Sequence, residues 1–411
     1  MKKLIIPILV ISFFVMVVGC GTNQKTASGK SNVIFKKDDY KGIISANNQL
    51  GFDLLAKVKA NKEGNVFISP TSLLQSLSMV YNGADGVTKK EIEQVLHKKG
   101  IEVNQLNKVN ASLMSLLQNS SKHSQLKMAN SLWINHQYHF QDNFAKNVRG
   151  YYHAKIQKID ITSSKTPKII NDWVKETTNG KIDKMVGDDD IDRNTFAILI
   201  NAITFKGNWM HEFAGGRTEN QAFHLVDGTV KDVPLMFLNE KLPYLENDDF
   251  QAVSLPYADG KMSMKVFLPR ENTSLEKFKA TLNKDNWDQW NSQLREQEGV
   301  IMLPKFKLEY ETELRKSLEQ LGMTTPFGGK ANFTKMIKES DPLFISKVKQ
   351  KTFLEVNEKG TEAAAATSTQ MTLKSLPIHM VINRPFFIAI TDDQTGAILF
   401  MGTVSNPGGG N

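Results

Sequence analysis

The chain has 411 residues, 40% hydrophobic, 9% aromatic and 23% charged, an ordinary globular balance that allows one large domain or two average ones. Its formal net charge of +8 falls to +6 once Lys2 and Lys3 are set aside, and the other basic residues are scattered among Asp and Glu, so no nucleic-acid partner is implied. A single cysteine, Cys20, excludes a disulfide within the chain and gives thiol catalysis poor support.

The first segment, "MKKLIIPILVISFFVMVVGCGTNQ", has two lysines, an apolar run from Leu4 to Val18 and small residues ending at Cys20, the pattern of a secretory signal. Val17, Val18, Gly19 and Cys20 resemble the lipobox of bacterial lipoproteins, in which the thiol is lipid-modified and the chain is cut just before it. The expectation is a lipoprotein signal peptide at 1–19 and a polar tether at 20–39. Lipidated Cys20 would then hold the protein, extracytoplasmic, on a bacterial membrane. An uncleaved anchor or a soluble secreted protein are the alternatives.

From about Tyr40 to residue 408 no repeat or linker-like break interrupts the pattern, and one mixed domain is the economical reading. In "SPTSLLQSLSMVYNGADG", Ser69 caps a helix with Pro70 in its first turn, Leu73, Leu74, Leu77 and Val80 on one face and Gly83 as the stop. Thr88 and Glu91 read as the capping box of the next helix. "PKIINDWVKETTNG" reads as a helix presenting Ile170, Trp173 and Val174 and closed by Gly180. "TELRKSLEQLG" reads as another, with Leu314, Leu318 and Leu321, closed by Gly322. "TFAILINAITF", "MSMKVFLP" and "VIMLPKFKLEY" carry strand patterns, and "PFFIAITDDQTGAILFMGTV" reads as a hairpin of two buried strands. Helices early and strands late give an α+β class.

The chain lacks a Gly-x-Ser-x-Gly elbow, a His-Glu-x-x-His pair, a Walker loop and a dinucleotide fingerprint, so residue chemistry points to no enzyme and no cofactor. Asp188, Asp190 and Asp192 have calcium-loop spacing, but Arg193 stands where the turn glycine belongs and Leu199 where the bidentate Glu belongs. A solvated acidic loop is the better reading. His136 and His139 lack a third ligand nearby, so no metal site is expected.

One stretch resists this reading. "EKGTEAAAATSTQMTLKSLP", Glu358 to Pro377, sets four alanines before three threonines and a serine. The alanines favour helix and the residues after them weaken it, leaving helix, strand or loop open.

"NVFISPTSLLQSLSMVYNGADGVTKKEI", "INDWVKETTNGKI", "INAITFKGNWMHEF", "EKGTEAAAAT" and "NRPFFIAI" with "ILFMGTVSNP" resemble, in family order, segments of the serpins, the serine protease inhibitor family. The resemblance spans about Tyr40 to Pro407. It implies one domain of three β-sheets and about nine helices, with an exposed reactive-centre loop at about 358–382. In inhibitory members the hinge side of the cleaved loop enters the largest sheet as a new strand.

The hinge would comprise Glu358, Gly360, Thr361, Glu362, Ala363, Ala364, Ala365 and Ala366. Strand alternation puts Thr361, Ala363, Ala365, Thr367, Thr369, Met371 and Leu373 on one uncharged face and Glu362 on the other, which can stay in solvent. Ser69, Ser72 and Asn201 match positions where the large sheet parts, and Gln350 stands where many members have histidine, so titration there is lost. Trp209 and the pair Glu358 and Lys305 match the loop's insertion point. Fourteen residues forward from Gly360 and eleven back from Pro385 both reach Lys374, making Lys374–Ser375 the expected reactive bond, with cuts after Met371 or Leu373 as alternatives.

The implied function is a monomeric suicide-substrate inhibitor that forms a covalent complex with a trypsin-like serine protease. A non-inhibitory serpin-like surface binding protein is the runner-up. A transporter's solute-binding lipoprotein would explain only the N-terminus.

Overall fold

The computed structural model describes residues 40–118, 123–340, 342–361 and 378–408. The first helix, α1 (Lys41–Leu55), is followed by a short strand, β1 (Val66–Ile68), and by α2 (Pro70–Tyr81). Ser69 caps α2 as its pattern suggests, its hydroxyl accepting the Ser72 N–H at 3.2 Å with Pro70 in the first turn. All twelve residues of α2 are buried, the serines and Gln75 included, so the apolar stripe marks only one face of a helix enclosed all round. The next helix, α3 (Gly86–Val95), starts earlier than the Thr88 box suggests. Asp85 caps it through the Gly86 N–H, while Thr88 and Glu91 are drawn outward to accept backbone N–H groups of Asn332 and of Thr324 and Thr325.

The chain continues through α4 (Val103–Gln118), β2 (Ser124–Asn135), α5 (Asp142–Tyr152), β3 (Lys155–Ile159) and α6 (Thr166–Thr177). Gly180, at φ +77°, closes α6 by donating to the Lys175 carbonyl at 2.8 Å. Five strands follow, β4 (Ala197–Asn208), β5 (Glu219–His224), β6 (Val230–Glu246), β7 (Phe250–Pro256) and β8 (Met262–Pro269), and then α7 (Leu275–Thr281) and α8 (Lys284–Gln293). "VIMLPKFKLEY" is not one strand. It breaks at Lys305 into β9 (Arg295–Pro304) and β10 (Phe306–Glu313), which belong to different sheets. The last elements are α9 (Arg315–Gln320), β11 (Ile345–Val356), β12 (Gly360–Thr361), β13 (Ile378–Val381) and the hairpin of β14 (Phe386–Asp392) with β15 (Ala397–Val404).

One sheet has the order β10-β11-β4-β2-β3, with β12 added beside β4. The remaining strands form a ladder of nine, β1-β15-β14-β8-β7-β6-β9-β13 with β5 on β6. The long β6 divides that ladder, pairing β5 and β9 over most of its length and β7 only at Tyr244–Glu246. The mixed α+β class and the nine α-helices among the described residues follow the expected plan, while the three expected sheets are joined into two hydrogen-bonded ladders because the long β6 pairs continuously with strands on both sides of its division. Between the two ladders, α2 packs on β4, β2 and β15, and stacked Phe67 and Phe400, 5.2 Å apart, continue the core.

Candidate functional site: the seam between β4 and β11

Within the six-stranded sheet β11 and β4 run parallel, paired from Ile345 and Ala197 to Phe353 and Thr204. Past Phe353 the two strands part, and the chain turns back at residues 357–359 so that Gly360 and Thr361 pair antiparallel with Asn208 and Gly207 of β4. Because β4 and β11 are parallel, a strand entering between them antiparallel to β4 runs against both, and β12 has the direction and place of the first two residues of such a strand.

Gly360 makes this entry possible. Its φ is +145°, and a Cβ there would stand 2.2 Å from the Gly207 carbonyl oxygen and 2.5 Å from the Asn208 Cα, so any side chain would push the hinge off β4. Thr361 is 1% exposed, with its hydroxyl 3.2 Å from the Tyr257 hydroxyl. Tyr257 stacks on buried Trp209 at 4.7 Å between centroids. The Trp209 indole N–H donates to the Asn357 carbonyl at 2.9 Å, its backbone N–H to Lys359 at 2.9 Å, and the Phe213 N–H to Glu358 at 2.8 Å. Glu358 lies 3.4 Å from Lys305 and accepts the Thr218 hydroxyl at 2.9 Å. Burial pushes the Glu358 carboxyl up, but hydrogen bonds from its own N–H and from Thr218, with the Lys305 charge, outweigh it and leave it below the usual glutamate range.

Six rungs down, a polar layer crosses the sheet where Asn130, Asn201 and Gln350 stand side by side on β2, β4 and β11. The Asn201 amide donates to Ser72, to Ser76 at 3.2 Å and to Asn130. Gln350 accepts the Ser69 N–H at 3.0 Å and donates to the Ser69 carbonyl at 3.0 Å and to the Asn201 side-chain oxygen at 2.7 Å. The Ser69 hydroxyl donates to the Leu399 carbonyl at 2.7 Å. The structure thus joins Ser69, Ser72, Asn201 and Gln350 in one buried network, and Trp209, Lys305, Glu358, Gly360 and Thr361 in another at the mouth of the same seam. None of these side chains in the lower network titrates. Parting β4 from β11 must break the bond from Gln350 to Asn201 and, if Gln350 moves with β11, its pair of bonds to Ser69.

Sequence reading missed Asn130, Ser76 and Tyr257. A lone Asn inside the apolar run of β2, like Asn201 in β4, was the available signal, because a buried amide needs a partner. Cys20, Glu362, Ala363, Ala364, Ala365, Ala366, Lys374 and Ser375 lie outside the described residues. The sheet face expected to stay in solvent is open at Lys206 but covered at Ile198, Ile200 and Ala202 by an apolar cluster that includes Ile170 and Val174 of α6. The acidic loop is also more than solvated, since Asp190 pairs with Lys347 at 2.9 Å and Lys349 at 2.6 Å. His139 pairs with Glu339 at 2.7 Å.

Fold and seam together define an α+β protein whose six-stranded sheet already admits the start of an extra strand beside β4, at the mouth of its seam with β11. The serpin (serine protease inhibitor) family model matches residues 45–407. A serpin-like protein of Thermococcus kodakarensis is 33% identical over 381 residues, 91% of this chain and 88% of that one. The leukocyte elastase inhibitor of Sus scrofa is 34% identical over 381 residues, 89% of this chain and 99% of that one. The crystal structure of the thermophilic serpin tengpin in its native state is similar with a TM-score of 0.83 and 34% identity, over 91% of this chain and 96% of that chain. The chain belongs to the serpin family, whose members are in general non-catalytic inhibitors of serine proteases.

Proposed function

We propose that this serpin inhibits trypsin-like serine proteases as a suicide substrate. The observation that carries the reading is β12, which occupies the mouth of the β4–β11 seam in a fixed antiparallel register. Continued residue by residue along β4, that register sets Glu362 beside exposed Lys206, Thr367 opposite Asn201 and Met371 opposite Ala197, the first residue of β4. Every inward-facing residue on that path is uncharged, so insertion leaves no buried unpaired charge.

The chemistry begins when the protease serine oxygen attacks the Lys374 carbonyl carbon. The peptide bond to Ser375 breaks, the Ser375 nitrogen leaves with a proton as a free amine, and an ester joins the protease to Lys374. Insertion of the hinge then moves the ester away from the mouth of the seam before water attacks it. Lys374 suits a specificity pocket holding a buried carboxylate, which is the reason for a trypsin-like target. In the same proposal the protein acts as a monomer. The 1–19 signal is removed, 20–39 is a tether, and lipidated Cys20 anchors the domain outside the cytoplasm.

Incubation with trypsin tests the reading. An SDS-stable complex should form and release a C-terminal peptide beginning at Ser375, and Lys374→Leu should lose the complex with trypsin while keeping an intact hinge. Turnover of the chain without a complex, or a peptide beginning elsewhere, contradicts it.

A further inference from the structure

The β4–β11 seam is bridged on its outer face by a segment that belongs to neither strand. Residues 181–190, between α6 and β4, are fixed over β4. Ile182, Met185 and Val186 share a buried cluster with Ile198 and Ile200 of β4 and, at its β11 edge, Phe353, and Asn171 of α6 accepts the N–H groups of Met185 and Val186 at 2.8 and 3.0 Å. The polar groups of the same segment reach across to β11. Asp190 takes Lys347 and Lys349, and the Lys184 carbonyl accepts from Lys351 at 2.9 Å. Lys349 and Lys351 are 8% and 7% exposed, and Lys347 and Lys349 stand opposite Ile198 and Ile200, directly across the seam.

We propose that Asp190 is a positioning residue of an ionic strap, residues 181–190, which holds the seam shut and sets how fast the sheet opens. The strap rests on the strand-insertion reading above, but its consequence is separable. Admitting a strand moves β11 from β4 by about one further interstrand spacing, ~4.8 Å, and contacts of 2.6 to 2.9 Å between Asp190 and the lysines do not survive that step while the apolar part stays on β4. The second pair on Lys349, to Glu311 of β10 at 3.0 Å, has no such effect, because β10 and β11 are paired to each other and lie on the same side of the seam.

The test compares Asp190→Asn with Glu311→Gln in the full-length chain. Each removes one negative charge from Lys349 and from one neighbouring lysine, Lys347 for Asp190→Asn and Lys351 for Glu311→Gln, but only the first takes an ionic tie away from the strap, leaving the Lys351 bond to the Lys184 carbonyl in place. The amide introduced by Asp190→Asn keeps an oxygen for the Gly187 N–H that Asp190 now accepts at 2.8 Å, and thermal melting checks that both variants fold. The probe is a synthetic peptide of residues 361–374, whose annealing into the uncleaved protein, followed on native gels, reports sheet opening without any protease. Asp190→Asn should anneal the peptide about tenfold faster than wild type, a factor set by ~1.4 kcal/mol, and Glu311→Gln should match wild type. Equal rates for all three proteins, equal acceleration by both variants, or no annealing even in Asp190→Asn overturns the strap. If the rates rank as expected while wild type forms no complex with trypsin, the strap stands and the inhibitory reading fails.

Discussion

At the scale of single residues, the hinge depends on Gly360 and Thr361, which do opposite things. Gly360 has no side chain because the β4 backbone fills the space where one would be. Thr361 has a small one because Tyr257 and Trp209 close the space beneath it. A guanidinium at Thr361 would be held against that aromatic floor, and a buried charge left without a partner costs ~3–5 kcal/mol. Thr361→Arg should therefore leave cleavage by trypsin intact and abolish trapping, turning the inhibitor into a substrate. Gel analysis of the products checks it, and wild-type yield of the covalent complex would show that Thr361 does not lead an inserting strand.

At the scale of elements, the seam is a zipper of ordinary parallel pairs with one polar layer in its middle. Gln350 makes that layer indifferent to pH between about 5 and 8, since an amide does not titrate there. Gln350→His should introduce a dependence. A neutral imidazole can accept the Ser69 N–H, and a protonated one has no free lone pair to do so, so the seam should open faster as pH falls below ~6.5. Peptide-annealing rates measured across that range should be flat for wild type and rise toward acid for the variant; two flat profiles would remove Gln350 from the control of opening. Much of this level was legible in the sequence. Ser69 with Pro70 announces its helix, and β8 and the β14–β15 hairpin fall where their alternation and turn residues put them. What local pattern does not carry is partnership. Thr88 and Glu91 have capping-box spacing yet serve another loop's backbone, and the apolar run through Pro304 passes from one sheet to another at Lys305 without a change in composition. Asn130 and Asp190 show the same limit, because their importance comes from strands and lysines far away in sequence.

At the scale of the molecule, the proposed device has three parts in series. They are a lipid attachment, a domain under tension at one seam, and a loop offering Lys374 to a protease. The attachment is separable. Cys20→Ala removes the thiol at which the chain is lipidated and before which it is cut, so it should change the protein's mobility on gels and its membrane fractionation while leaving trypsin trapping unchanged, and an unchanged fraction with unchanged mobility would reject the anchor. The seam is the central claim. β4 is twelve residues long, so a hinge threaded along it would carry the protease end about 40 Å. A crystal structure of the chain cleaved at Lys374–Ser375 tests this most directly. The account predicts a new strand between β4 and β11 in the register begun by Gly360 and Thr361, with Thr367 between Asn201 and Gln350. A cleaved chain in which Gln350 still pairs with Asn201 across a closed seam would contradict it.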